Sequence, residues 1–171
     1  MQLLKGMTVL VVGGAGALGQ AALAVCTALG CTVYAAVSDL RKKHFLLKLF
    51  PTLDANKIGN SSDISFKDMV LAGTKNQRCD VVINCATGTI CEAAMQCGGR
   101  SSIVFNVNDY DLQENLSFGM NKLTDERNFM SVNMSYIFEP ENVNIRKVYY
   151  VPCKIIIFIV KNFTEVRKSL I

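Results

Sequence analysis

An α/β fold built on a doubly wound parallel sheet is what three features of this sequence predict. A short apolar run, Met7 to Val12, leads directly into a glycine-rich loop. Helix-like and strand-like segments then alternate as far as Val107. The strand-like segments are continuous apolar runs, as expected of parallel strands covered by helices on both faces. At 171 residues the chain suffices for one domain with a sizeable core.

Taken in order, Met7 to Val12 (MTVLVV) is rich in β-branched residues and reads as the first strand. Gln20 to Leu29 (QAALAVCTAL) reads as a helix closed by Gly30. Cys31 to Val37 (CTVYAAV) follows at once as a second strand, which completes a βαβ unit with a right-handed crossover. Leu40 to Phe50 is a second helix, stopped by Pro51. Lys57 to Asn60 is a short third strand, and Ile64 to Ala72 a third helix capped by Ser62 or Asp63. Cys79 to Asn84 (CDVVIN) is a strand. Thr89 to Gln96 is a helix ended by Gly98 and Gly99, and Ser102 to Val107 is another strand. Asn128 to Met134 is expected as a sixth. Residues 1–135 thus form the domain, and 136–171 an extension without clear pattern, with Lys161 to Ile171 a polar helix or loose tail.

The totals exclude several classes of function. A net charge of +4 is mild and dispersed, which suits a polyanionic small molecule better than nucleic acid or a membrane surface. Residues 1–6 lack the apolar core of a signal peptide. The most apolar run, Ile155 to Val160, is far short of the roughly 20 residues that span a bilayer. A cytoplasmic location is therefore expected. The seven cysteines are Cys26, Cys31, Cys79, Cys85, Cys91, Cys97 and Cys153, and no two form a C-x-x-C pair. Cys85, Cys91 and Cys97 recur every six residues, which fits neither one helical face nor zinc spacings, and the sole histidine, His44, is distant in sequence. Buried thiols are expected, and no metal site.

The chemistry lies in the loop Gly13-Gly14-Ala15-Gly16-Ala17-Leu18-Gly19. A strand, G-x-G-x-x-G and a helix place a pyrophosphate against the helix N-terminus, where unpaired N–H groups and the dipole favour negative charge. On this reading Gly14 allows the turn, Gly16 lets backbone approach the pyrophosphate, and Gly19 lets helix and strand pack closely. This is a Rossmann-type NAD(P)-binding pattern. The second strand then ends in Val37-Ser38-Asp39-Leu40-Arg41-Lys42-Lys43. An acid there serves the ribose 2′-OH of NAD, whereas small and basic residues serve the 2′-phosphate of NADP. Ser38, rather than Asp39, directly follows the strand, and with the Arg-Lys-Lys cluster this favours NADPH.

Lys5 to Leu23, Gly30 to Val37, Phe50-Pro51, Ile58 to Phe66 (IGNSSDISF) and Tyr110 to Met120 (YDLQENLSFGM) resemble the enoyl-reductase region of animal, insect-like, fatty acid synthase. That region belongs to the medium-chain dehydrogenase/reductase superfamily. The resemblance spans residues 5–135, and its specificity rests on the last two segments. It implies NADPH-dependent reduction of an enoyl thioester double bond on an acyl carrier protein, in fatty acid biosynthesis. It implies that Gly14, Gly16, Ala17, Leu18 and Gly19 hold the pyrophosphate. Ser38, Lys42 and Lys43 would then lie near the 2′-phosphate, and Asn84, Cys85 and Ala86 beside the nicotinamide half. The family also implies a homodimer paired through an edge strand.

Three departures accompany the resemblance. Asp109 stands where the family has a lysine that is a candidate proton donor, so no catalytic residue is assigned. Ser135 matches a family aspartate. The family's N-S-L-A has become Asn84-Cys85-Ala86-Thr87. The family's substrate domain would precede the first strand, so the expectation is a fragment or diverged form of the reductase. The alternative is a non-catalytic NADP(H)-binding or structural remnant. A short-chain dehydrogenase reading rests on Tyr150 and Lys154, but Pro152 between them opposes the helix that chemistry needs.

Overall fold

The computed structural model describes residues 6–107, 125–131 and 139–142. Within them β1 (Thr8–Val12), β2 (Thr32–Val37), β3 (Ile58–Asn60), β4 (Cys79–Asn84), β5 (Gly98–Asn106) and β6 (Asn128–Ser131) form one sheet. The strand order is β3-β2-β1-β4-β5-β6, and every pairing is parallel. The connecting helices are α1 (Ala17–Ala28), α2 (Leu40–Leu49), α3 (Ser65–Gly73) and α4 (Gly88–Gln96). This is the doubly wound α/β sheet expected from the sequence, with its switch point between β1 and β4.

The continuous apolar strands serve two cores at once. Val9 and Val11 of β1 face Ala22 and Leu23 of α1 and Leu46 of α2, together with Ala35, Ile83 and Phe105. Leu10 and Val12 point the other way, into a core with Phe66 and Val70 of α3 and Ala94 and Met95 of α4. Leu10, Leu23, Phe66 and Phe105 are essentially inaccessible to solvent. Each such side chain contributes about 1.5–3 kcal/mol by leaving water.

Several boundaries differ from the sequence expectation, for local reasons. Helix α1 begins at Ala17, because Gly16 is already its cap and accepts the Gln20 N–H at 2.8 Å. Neither residue proposed to cap α3 does so. Asp63 accepts the Ser65 N–H one residue ahead of the cap position, and the Ser62 hydroxyl donates to Asn60. Gly98 and Gly99 do not end α4; Cys97 does, and the two glycines open β5. Gly99 lies so close to the Gln77 carbonyl that a Cβ there would stand 2.9 Å from it. Of the sixth strand expected over Asn128 to Met134, the described part is Asn128–Ser131. Residues 132–134, Asp109, Ser135, Tyr150, Cys153, Lys154 and the 161–171 segment lie outside the described residues, as does most of the 136–171 extension. No helix among the described residues is long and apolar enough to cross a membrane.

Candidate functional site: the glycine loop and the crevice between β1 and β4

Three loops meet at the carboxyl edge of the sheet, after β1, β2 and β4. The first is fixed by its own backbone. Both Gly13 and Gly14 donate to the Ala36 carbonyl, at 3.0 and 3.1 Å, and Gly16 donates to the Gly13 carbonyl at 3.0 Å. The Gln20 side-chain amide reaches back to the Ala15 carbonyl at 2.7 Å. Gln20 was not among the sequence candidates; a long amide one turn into the helix is the feature that could have revealed it.

The glycines divide the work differently from the motif reading. The left-handed turn falls on Gly13 (φ +79°), not on Gly14. Gly14 is buried, and a Cβ there would touch Leu46, Leu23 and Ala35. Gly19 is also buried; a Cβ would collide with the Gly13 carbonyl and stand 2.6 Å from the Gly14 Cα. Gly16 and Ala17 are exposed, with Ala15 and Leu18 half-buried beside them. Around a Cβ on Gly16 only the Gly13 carbonyl comes near, at 3.4 Å. Helix α1 has no side-chain cap and no acid in its first turn. Its leading N–H groups therefore face outward without intrahelical acceptors, at the positive end of the dipole. An open glycine and an uncapped helix end fit a bound pyrophosphate.

After β2 the chain presents a small hydroxyl and a cation together. Lys42 Nζ donates to Ser38 Oγ at 2.6 Å and lies 3.6 Å from Asp39. Asp39 caps α2, accepting the Lys42 N–H at 2.9 Å, and that bond holds its carboxyl below the ordinary range. Lys43 is separated from this pair. Its ammonium donates to the Ile58 carbonyl of β3 at 2.9 Å, bracing α2 against the sheet. A cleft of about 220 Å³ opens here, lined in part by Val37, Leu40, Lys43 and Asn60.

The β4 loop forms the opposite wall. Cys85 N–H donates to the Val12 carbonyl at 3.2 Å, tying it to β1. The Cys85 side chain lies against Gly13, where a Cβ would stand 3.1 Å from the thiol's own Cβ. Burial pushes the Cys85 thiol up to about 11, so it is neutral and serves as packing. Asn84 is fully buried. Its amide donates to the Ala86 carbonyl at 2.7 Å and to Asn106 Oδ1 at 2.8 Å, while its oxygen accepts the Ala86 N–H at 3.2 Å. Asn84 thus shapes the turn by holding both the N–H and the carbonyl of Ala86, which packs against the core around Leu10 and Phe66. Asn106, at the end of β5, was missed by sequence reasoning; a polar residue closing an apolar strand is the trace it leaves.

The thiol expectation is refined. Cys26, Cys79, Cys91 and Cys97 are buried, whereas Cys31 and Cys85 are half-buried. Among the described residues no group of three or more potential ligands could hold a metal ion.

No protein-family model matches this chain. It is similar to the lovastatin diketide synthase lovF of Aspergillus terreus, 30% identical over 135 residues, which is 79% of this chain and 5% of that one. Polyketide synthase 37 of Dictyostelium discoideum is 24% identical over 147 residues, covering 86% of this chain and 5% of that one. The chain therefore spans about a twentieth of the length of these curated relatives. Among solved structures, the nucleotide-binding subdomain of the enoylreductase domain of PpsC from Mycobacterium tuberculosis superposes with a TM-score of 0.71 at 20% identity, covering 94% of this chain and 84% of that one. A putative enoyl reductase domain of polyketide synthase gives 0.69 at 20% identity, with 95% and 83% covered. The chain therefore has the nucleotide-binding fold of enoyl-reductase structures, and its sequence is similar to a stretch of polyketide synthases.

Proposed function

We propose that this chain is the cofactor-binding part of an NADPH-dependent enoyl reductase from a multidomain synthase of the polyketide or fatty acid kind. The observation that carries the reading is the open N-terminus of α1, uncapped beside Gly16 at the switch point of the sheet. Gly16, Ala17 and the backbone around Ala15 and Leu18 bind the pyrophosphate. Gly13, Gly14 and Gly19 shape that loop without facing the ligand. Ser38 and Lys42 take the 2′-phosphate, and Asp39 is occupied as a helix cap. Lys43 supports that corner by tying α2 to β3, while Cys85 and Ala86 border the nicotinamide half, held in place by Asn84. When bound, the cofactor supplies a hydride for the double bond of an enoyl thioester on an acyl carrier protein.

The polyketide synthases among the relatives support the synthase setting. The segments Ile58 to Phe66 and Tyr110 to Met120 support the fatty acid synthase variant of it. The same reading places the protein in the cytoplasm and pairs two copies through the edge strand β6. A second reading, binding without turnover, is favoured by Asp109 in the place of the family lysine.

The test is to mix the purified chain with NADPH and a short enoyl thioester of pantetheine and follow loss of nicotinamide absorbance. Turnover that disappears in Gly16→Val supports the reductase. Cofactor binding without turnover supports the cofactor-binding assignment that both readings share, and absence of binding by folded protein rejects both.

A further inference from the structure

Away from the crevice, at the other end of α1, the chain builds a second chemical feature. Helix α1 closes with two crossed backbone bonds: Gly30 N–H donates to the Thr27 carbonyl and Cys31 N–H to the Cys26 carbonyl, both at 3.0 Å. Gly30 takes the left-handed conformation (φ +74°) that this closure needs. The arrangement is a Schellman motif, which characteristically brings the side chain just beyond the helix against one in its last turn. In most proteins that contact joins two apolar residues. Here it joins two thiols, Cys26 and Cys31, which interact through a side-chain hydrogen bond.

The two thiols are not equivalent. Cys26 is 3% exposed and packed in the core under α1, and Cys31 is half-buried with solvent access. The hydrogen bond with Cys26 lowers the Cys31 thiol from its ordinary range, while burial and the nearby Asp80 oppose that effect. A partly exposed sulfur that gives up its proton more readily than an ordinary thiol, beside a protected second thiol, is the arrangement of an attacking and a resolving cysteine. The other adjacent pair lacks it: Cys79 donates its N–H to the Cys97 carbonyl, but both residues are closed to solvent.

We propose that Cys26 and Cys31 form a reversible dithiol site that reacts with small peroxides to give an intramolecular disulfide. The Cys31 thiolate attacks one peroxide oxygen, the O–O bond breaks, and Cys31 becomes a sulfenic acid as water or an alcohol leaves. The Cys26 sulfur then attacks the Cys31 sulfur. The S–S bond forms, the S–O bond breaks, and the departing hydroxide takes the Cys26 proton as water. Two thiols lose two electrons in total, and one peroxide is reduced by two. The closed ring spans only the Schellman turn, so helix α1 and the glycine loop keep their places.

The experiment treats the intact, folded chain with limiting hydrogen peroxide and maps its peptides by mass spectrometry, with and without dimedone to trap sulfenic acid. The expected first product is a Cys26–Cys31 disulfide, lighter by two hydrogens and restored by dithiothreitol. In Cys26→Ser, dimedone is expected to label Cys31. Should the wild-type protein react first at Cys85 or another cysteine, or accumulate dimedone-labelled Cys31 without the disulfide, the proposal is overturned. The wild-type measurement stands even if the variant does not fold.

Discussion

Gly16 and Gly19 sit three residues apart in one motif, yet substitution separates their roles. At Gly19 an added Cβ meets backbone, which cannot swing aside. Gly19→Ala is expected to destabilise the fold by about 1–3 kcal/mol, seen as a lower urea midpoint with the slope unchanged. At Gly16 a side chain meets only one carbonyl at ordinary contact distance. Gly16→Val is expected to fold with nearly wild-type stability and to lose the cofactor. Asp39 gives a residue-scale test in pH. Its carboxyl titrates below its ordinary value, so its stabilising effect is present above that range and disappears as pH falls through the lowered value. The gap in thermal midpoint between wild type and Asp39→Ala should therefore be present at pH 7 and close below about pH 4. The G-x-G-x-x-G spacing was legible in sequence because it is a steric requirement repeated at fixed intervals. The division of labour within it was not, since whether a missing Cβ faces core, backbone or solvent depends on strands distant in sequence.

At the scale of elements, the β4 and β5 ends are joined by one buried amide pair. Asn84 and Asn106 are both almost wholly enclosed and 2.8 Å apart. Asn106→Ala removes an acceptor from a buried donor and is expected to lower stability by about 1–3 kcal/mol. A double-mutant cycle with Asn84→Ala should show the two effects to be less than additive. The strands themselves were legible, because β1, β2, β4 and β5 are apolar runs bounded by glycine, proline or polar residues. Helix starts were not. Ala17, Leu18 and Gly19 read as loop in the sequence, and only the Gln20 N–H bond to Gly16 shows that the helix has already begun. Lys43 was likewise grouped with Lys42 by adjacency, although successive helical residues point about a hundred degrees apart, and one reaches β3 while the other meets Ser38.

For the molecule as a whole, the order β3-β2-β1-β4-β5-β6 places the glycine loop and the Asn84–Ala86 turn on the two sides of one crevice. That juxtaposition follows from alternating strands and helices with right-handed crossovers, so the location of the site was available from sequence once the alternation was read. The choice between dinucleotides was less so, since Asp39 and Lys42 are adjacent charges whose roles separate only when one is seen to cap α2. The measurement that tests the central claim is a fluorescence titration of the folded chain with NADPH and with NADH, repeated on Gly16→Val and Lys42→Ala. Micromolar binding that favours NADPH, is lost in Gly16→Val and loses its preference in Lys42→Ala is the predicted result. Absence of binding to either dinucleotide, from protein whose circular dichroism shows the α/β fold intact, would contradict it.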